Sequence, residues 1–106
     1  MNILVFTSPN CPHCPKAERV VREVAPDYSE YGLSHEKIRT KTPEGKELSL
    51  RYGVMGTPTI LFLDDDGKEL KRIVGSPSEA NLRKKIEKFL GLRKSFFSKI
   101  FRKGDE

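Results

Sequence analysis

The stretch TSPNCPHCP, residues 7–15, holds both cysteines of the 106-residue chain, Cys11 and Cys14. The continuous apolar run before it, residues 3–6, predicts a strand buried on both faces. The Ser, Pro and Asn residues at positions 7–10 indicate a turn. After the cysteines, apolar residues recur at the spacing of one helix face: Ala17, Val20, Val21 and Val24. The sequence therefore predicts that the cysteine pair lies between the first strand and the first helix.

This position has a chemical consequence for Cys11. The thiolate, not the thiol, is the nucleophile in disulfide exchange. Unpaired N–H groups and the partial positive charge at a helix N-terminus favour the thiolate, so with Cys11 in the first helical turn we expect a lowered pKa. A protonated His13 adds positive charge, and Pro12 restricts the loop. The two-residue spacing lets Cys14 attack a mixed disulfide formed by Cys11.

Pro15 leaves two positions for the start of this helix. If the helix begins at Cys11, Pro15 has no N–H to bond the Cys11 carbonyl, and the first turn is distorted. Otherwise the regular helix begins a few residues later. We favour the later start.

Two other interpretations of the cysteine pair are an inert disulfide and half of a zinc site. Zinc needs four ligands, and only His13 and His35 remain to complete a set. His13 lies inside the C-x-x-C loop, a poor geometry for tetrahedral closure, and His35 fits an ordinary strand residue. The residues therefore favour a redox pair, with no metal and no cofactor.

The remaining patterns predict the element order β-α-β-α-β-β-α. Strands are predicted over residues 34–39, 59–63 and 69–74, with a hairpin turn at 64–67 and a helix over 43–52. A capping box at Ser76–Glu79, with Pro77 in the first helical position, predicts the last helix. Its apolar face contains Leu82, Ile86, Phe89 and Leu90. Strands and helices alternate first, so we expect an α/β fold with a parallel pair joined by a right-handed crossover.

The composition is that of one small globular domain, residues 1–91. The chain is 36% hydrophobic and 33% charged, and two cysteines exclude a secreted scaffold built on many disulfides. Met1 and Asn2 lead straight into the apolar run without a basic segment, so the sequence predicts no secretory signal and a cytoplasmic location.

The net charge of +5 is uneven along the chain. Residues 1–90 hold 15 basic and 13 acidic side chains, whereas residues 91–106 hold five and two. The body has no basic stripe interleaved with aromatic residues, which argues against nucleic acid as a partner. Residues 92–106 form a basic amphipathic tail that either packs over the core or, through residues 92–103, contacts an anionic membrane or a partner protein.

Residues 2–90 resemble the thioredoxin/glutaredoxin superfamily through three motifs: TSPNCPHCP at 7–15, MGTPT at 55–59 and IVGS at 73–76. The first motif resembles short archaeal and bacterial thioredoxin- or glutaredoxin-like proteins with Cys-Pro-His-Cys. The resemblance implies a minimal thioredoxin fold, with a central four-stranded mixed sheet flanked by helices. It also implies a thiol–disulfide oxidoreductase in which Cys11 is the nucleophile and Cys14 the resolving thiol, supported by Pro12 and His13.

The second and third motifs imply a substrate groove beside the cysteine pair. By resemblance, Pro58 is cis and packs against the cysteines, and the backbone of Thr57 pairs with an extended substrate segment. Gly56 and Gly75 line the same groove. The implied partners are disulfide-containing proteins, with a reductase or a small thiol as electron donor.

The sequence also departs from the family. Thioredoxins carry a buried carboxylate in the strand before the motif, but residues 3–6 here are Ile, Leu, Val and Phe. Residues 75–78 do not match the Gly-Gly-x-Asp loop of glutathione-binding glutaredoxins. The Pro12–His13 dipeptide resembles that of periplasmic thiol oxidants, whereas the predicted location favours a reductant or exchanger. The alternatives are a glutaredoxin-like enzyme that uses a small thiol and a non-catalytic module that binds a metal or Fe–S cluster.

Overall fold

The computed structural model describes residues 1–92, which form a sheet flanked by helices. The strands are β1 (Asn2–Thr7), β2 (Ser34–Arg39), β3 (Thr59–Leu63) and β4 (Glu69–Val74). The helices are α1 (Cys14–Val24), α2 (Pro43–Tyr52) and α3 (Glu79–Leu90), with a 3₁₀-helix at Ala25–Tyr31. Leu92, the first residue of the predicted tail, packs against the core. The rest of the tail prediction, residues 93–106, lies outside the described residues.

The sheet has the strand order β2-β1-β3-β4. Strand β1 runs parallel to β2 and antiparallel to β3, and β3 runs antiparallel to β4. The predicted mixed four-stranded sheet and element order are therefore confirmed. In this register Thr59 pairs with Phe6 on one side and Val74 on the other. The loops after β1, before β3 and after β4 consequently meet at one edge of the sheet.

Strand β1 is buried on both faces, as its apolar run predicts. Because side chains alternate along a strand, Ile3 and Val5 pack on the side of α1 and α3, whereas Leu4 and Phe6 pack on the other side. The second side is covered by Leu48 and Tyr52 of α2 and by Val54, two residues after the helix. The central strand is thus held between two apolar layers, and the start of the redox loop is fixed to it.

The α-helix ends before Pro26, but the chain continues in a tighter helical turn. Helix α1 ends at Val24, but a 3₁₀-helix follows directly with Pro26 in its first turn, where a missing N–H does no harm. Tyr28 is buried and donates its hydroxyl to the Glu87 carboxylate of α3 at 2.5 Å. The Arg83 guanidinium of α3 binds Asp27 at 2.8 Å. These contacts join the 3₁₀-helix to α3.

The start of α3 differs from the predicted capping box. Ser78, not Ser76, is the N-cap, and its hydroxyl accepts the N–H of Asn81 at 3.1 Å. Pro77 is therefore not the first helical residue; it is buried ahead of the cap, and Ser78 is still extended. The side chains of both serines can cap a helix. The structure uses Ser78, and in the helix that starts there Leu82 and Ile86 are fully buried.

Candidate active site

Cys11 and Cys14 form a disulfide at the junction of the β1–α1 loop and α1, with their Cα atoms 5.4 Å apart. The two residues differ in exposure. Cys14 is the first residue of α1 and is 2% exposed, whereas Cys11 is partly exposed in the loop. An incoming sulfur can therefore reach Cys11 more easily than Cys14.

The prediction that Cys11 lies in the first helical turn is wrong. Helix α1 begins at Cys14 after the N-cap His13, so Cys11 precedes the helix. The favoured later start is thus the one observed, and Pro15 occupies the second helical position, where its missing N–H is not needed. The N–H of Cys14 points back to the Cys11 carbonyl at 3.4 Å. Because Cys11 lies ahead of the helix N-terminus, the partial positive charge of the helix acts on its sulfur from outside the first turn.

Pro12 and His13 are both exposed at the outer side of the loop. The His13 side chain caps no N–H of α1, and its carbonyl accepts the N–H of Ala17 at 3.1 Å. His35 lies near the start of β2, opposite Ile3. The redox loop leaves the other end of β1, and four residues of strand separate the two ends by about 13 Å. The fold therefore keeps the sequence-predicted histidines apart.

The second loop carries a cis peptide bond between Thr57 and Pro58, in agreement with the sequence expectation. Pro58 is buried, Thr57 is partly exposed and Gly56 is exposed. The Thr59 hydroxyl donates to the Gly56 carbonyl at 2.6 Å, which holds the turn closed. The backbone N–H and C=O of Thr57 bond to no other residue within 1–92. That these groups pair with an extended substrate segment stays a prediction.

A side-chain hydrogen bond joins the redox loop to the cis-proline loop. The Ser8 and Thr57 hydroxyl oxygens lie 2.7 Å apart, although the residues are 49 positions apart in sequence. The third loop joins the same cluster, because the N–H of Gly75 donates to the Pro58 carbonyl at 2.9 Å. Gly75 has φ +103°, a conformation that favours glycine. The structure thus brings together all three predicted motifs.

Arg72 of β4 fixes the chain that leads into the cis-proline loop. Its guanidinium binds both carboxylate oxygens of Glu69, at 2.7 and 2.8 Å. The same group donates to the carbonyls of Tyr52 and Gly53 at the end of α2, at 2.5 and 3.2 Å. Sequence reasoning missed this role, since an arginine on a solvent-facing strand gives no local sign of its carbonyl partners.

Helix α1 carries a carboxylate one turn after Cys14, although β1 has none. Glu18 lies four residues after Cys14 in α1, which places both on one helix face. Its carboxylate binds the Lys37 ammonium of β2 at 3.0 Å, and its side chain is 21% exposed. The i,i+4 spacing is a sequence signal that could have identified Glu18 as a carboxylate on the same helix face as Cys14.

A groove of about 550 Å³ runs from the redox loop past the cis-proline loop to α2. Sequence reasoning identified Gly56 and Thr57 in it but not the other lining residues. These include apolar and basic side chains, namely Lys41, Lys46, Leu50, Val54 and Met55.

Within residues 1–92, no cluster of three or more His, Cys, Asp or Glu side chains is arranged to bind a metal ion. Nor does that part of the chain contain a helix long and apolar enough to span a membrane.

Comparison with known proteins places this geometry in a family. Residues 2–90 match the thioredoxin-like domain family. A probable thioredoxin of Archaeoglobus fulgidus is 41% identical over 87 residues, which cover 82% of this chain and 87% of that protein. A thioredoxin of Methanocaldococcus jannaschii is 37% identical over 90 residues, covering 85% and 96%.

The fold is also similar to a solved structure. Thioredoxin 1 of Thermosipho africanus superimposes with a TM-score of 0.72 at 22% identity, covering 89% of this chain and 99% of that one. This structural likeness supports the assignment of the fold. The sequence matches support the assignment of the family. The chain belongs to the thioredoxin-like family, and the close Cys11–Cys14 pair identifies it as a thiol–disulfide oxidoreductase.

Proposed function

We propose that the protein reduces or exchanges disulfides of protein substrates in the cytoplasm, with Cys11 as nucleophile and Cys14 as resolving thiol. Proteins of this family act on disulfide-containing proteins. The observation that carries the assignment is the unequal exposure of the two sulfurs. Cys14 is 2% exposed, whereas Cys11 is partly exposed in the loop whose residues Ser8 and Pro9 line the groove.

In the reducing direction, the Cys11 thiolate attacks one sulfur of a substrate disulfide. A Cys11–substrate disulfide forms, and the second substrate sulfur leaves as a thiolate that takes up a proton. Cys14, as its thiolate, then attacks the Cys11 sulfur. This step forms the Cys11–Cys14 disulfide and releases the other substrate thiol, so two electrons pass to the substrate. An external reductase or small thiol returns the pair to the dithiol, and the reverse sequence oxidises a substrate dithiol.

The other predicted residues shape the approach of the substrate. Thr57 offers free backbone groups to an extended chain, while Gly56 and Gly75 leave room beside it. No atom lies within 4 Å of a Cβ built on either glycine. Pro58 is buried and its carbonyl accepts the N–H of Gly75, while Pro12 and His13 are exposed in the redox loop.

Reduction of insulin disulfides tests the proposed activity and its electron donor. One series supplies thioredoxin reductase with NADPH, and a parallel series supplies glutathione. We expect reduction in the reductase series, and loss of at least 100-fold of the rate in Cys11→Ser, because the attacking thiolate is gone.

The control is Ser34→Ala, which changes an exposed residue of β2; its rate should equal that of the original protein. Activity with glutathione alone would favour the glutaredoxin-like alternative. A folded protein that is inactive in both series would contradict the reductase assignment and favour a binding module.

A further inference from the structure

The groove beside the cis-proline loop has an exposed apolar wall. Leu50 is 85% exposed on α2, and Met55 is 96% exposed just before the loop. Leu48 of the same helix, in contrast, packs against the core. Leu50 and Met55 therefore contribute little to folding, and contact with another molecule would remove their apolar surface from water.

The charge of the groove has one sign. Lys41 and Lys46 line it, and the lining contains no carboxylate. Neither lysine forms an ion pair with any residue in the range 1–92. Two neighbouring basic residues are already neutralised, Lys37 by Glu18 and Arg51 by Glu47. The two free ammonium groups thus make the groove complementary to an acidic ligand.

The groove continues from the redox loop, because Ser8 and Thr57 line it together with the apolar and basic side chains. A chain that pairs with the Thr57 backbone can extend into it. The opening of about 550 Å³ accommodates several side chains of such a chain.

We propose that this groove selects substrate proteins in which acidic and apolar residues flank the disulfide. This inference rests on the proposed function and specifies its substrate class. The apolar side chains of the substrate segment contact Leu50 and Met55, and its carboxylates lie against Lys41 and Lys46. Electrostatic attraction also raises the rate of encounter, so the preference weakens as salt is added.

Three disulfide-containing peptides of equal length test the preference. The disulfide is flanked by Leu and Glu in the first, by Leu and Lys in the second, and by Ser and Gln in the third. The pre-reduced protein is mixed with each peptide at low ionic strength, and the single-turnover rate constant is followed by acid quench and mass spectrometry. We expect the Leu/Glu peptide to react about tenfold faster than the Leu/Lys peptide.

Charge reversal in the groove should invert this order. In the double variant Lys41→Glu/Lys46→Glu, the Leu/Lys peptide should become the faster substrate, while the Ser/Gln peptide keeps its rate. The matched control is Lys71→Glu/Lys84→Glu, which makes the same charge change on β4 and α3, outside the groove. That control should retain the original order of rates.

The apolar wall is tested separately with Leu50→Ser/Met55→Ser. Both side chains are exposed, so the variant should fold normally. Its rate with the Leu/Glu peptide should fall about fivefold, as expected for the loss of roughly 1 kcal/mol of apolar contact.

Equal rates for the Leu/Glu and Leu/Lys peptides in the original protein would overturn the proposal. So would an inversion of the order in the Lys71/Lys84 control, since the preference would then reflect net charge alone. Oxidised glutathione provides a further comparison. If it reacts faster than every peptide and depends on Lys41 and Lys46, the groove is a small-thiol site. Failure to reduce any peptide, the Ser/Gln one included, would instead refute the proposed function.

Discussion

Arg72 shows how one side chain can set the position of a loop in the candidate site. Its guanidinium joins Glu69 on its own strand to the carbonyls of residues 52 and 53, at the end of α2. The bond to Arg72 holds the pKa of the Glu69 carboxyl below its usual value, and the same pair raises the pKa of Arg72. The pair therefore contributes to stability only while Glu69 is ionised.

The substitution Glu69→Gln tests this contribution and its pH dependence. Near pH 7 we expect the free energy of unfolding to fall by about 1 kcal/mol, because a charged hydrogen-bonded pair becomes a neutral one. A lowered folded-state pKa gives stability that is present above the unfolded-state pKa and lost as pH falls through the folded-state value. The difference between the two proteins should thus shrink below about pH 5.

The measurement is urea unfolding at a series of pH values from 3 to 8. Asp66→Asn is the control, since Asp66 is exposed and has no ion pair within the described part of the chain. Its effect should be small at every pH. A difference for Glu69→Gln that grows on acidification would contradict the account of the pair.

At single residues, the features that could be predicted are those encoded by neighbouring residues in the sequence. The spacing of Cys11 and Cys14 and the motif at Pro58 are visible in a few adjacent letters, and both predictions agree with the structure. The contact between Ser8 and Thr57 joins residues 49 positions apart and leaves no such local sign. The placement of Cys11 in the first turn failed because the helix begins only after His13.

Among the elements, α2 depends on a close approach at its first turn. The Thr42 hydroxyl accepts the Gly45 N–H at 3.0 Å and donates to the Arg39 carbonyl at 2.8 Å. A Cβ on Gly45 would lie 1.8 Å from that carbonyl oxygen, which belongs to the backbone at the end of β2. Helix α2 can therefore sit this close to β2 only with glycine at position 45.

The substitution Gly45→Ala should destabilise the protein by about 2 kcal/mol or more. Alanine gains about 1 kcal/mol in helix propensity, but the clash forces α2 away from β2, and this overpacking costs about 3 kcal/mol or more. Thermal unfolding followed by circular dichroism measures the effect. Glu44→Ala, at the neighbouring exposed position, should lose about 0.5 kcal/mol. A Gly45→Ala protein as stable as the original would contradict the close packing.

Helices and strands with a strong apolar period were predictable, while their junctions were not. The burial of β1 on both faces and the buried face of α1 follow directly from residue type and spacing. The 3₁₀-helix after α1 was missed because its anchors, Tyr28 and Asp27, find their partners on distant α3. Two serines with equal capping chemistry precede α3, so the sequence alone could not identify Ser78 as the cap.

For the molecule as a whole, the order of the strands in the sheet determines where the loops of the candidate site lie. Because β1 lies between β2 and β3, and β4 follows on the outer side, three loops separated in sequence converge at one edge of the sheet. The sequence predicted this convergence through a family resemblance, and the wall formed by α2 became visible only with the fold. The redox loop, through Ser8, and Thr57 of the cis-proline loop then adjoin each other and the basic groove.

The most direct test of the central claim is to trap the covalent intermediate. Cys14→Ser, pre-reduced and mixed with insulin, cannot resolve a disulfide formed at Cys11. Mass spectrometry should therefore find a stable adduct on Cys11 in Cys14→Ser and almost none in Cys11→Ser, where the buried Cys14 is out of reach. Equal or greater adduct formation in Cys11→Ser, or none in Cys14→Ser, would contradict Cys11 as the nucleophile.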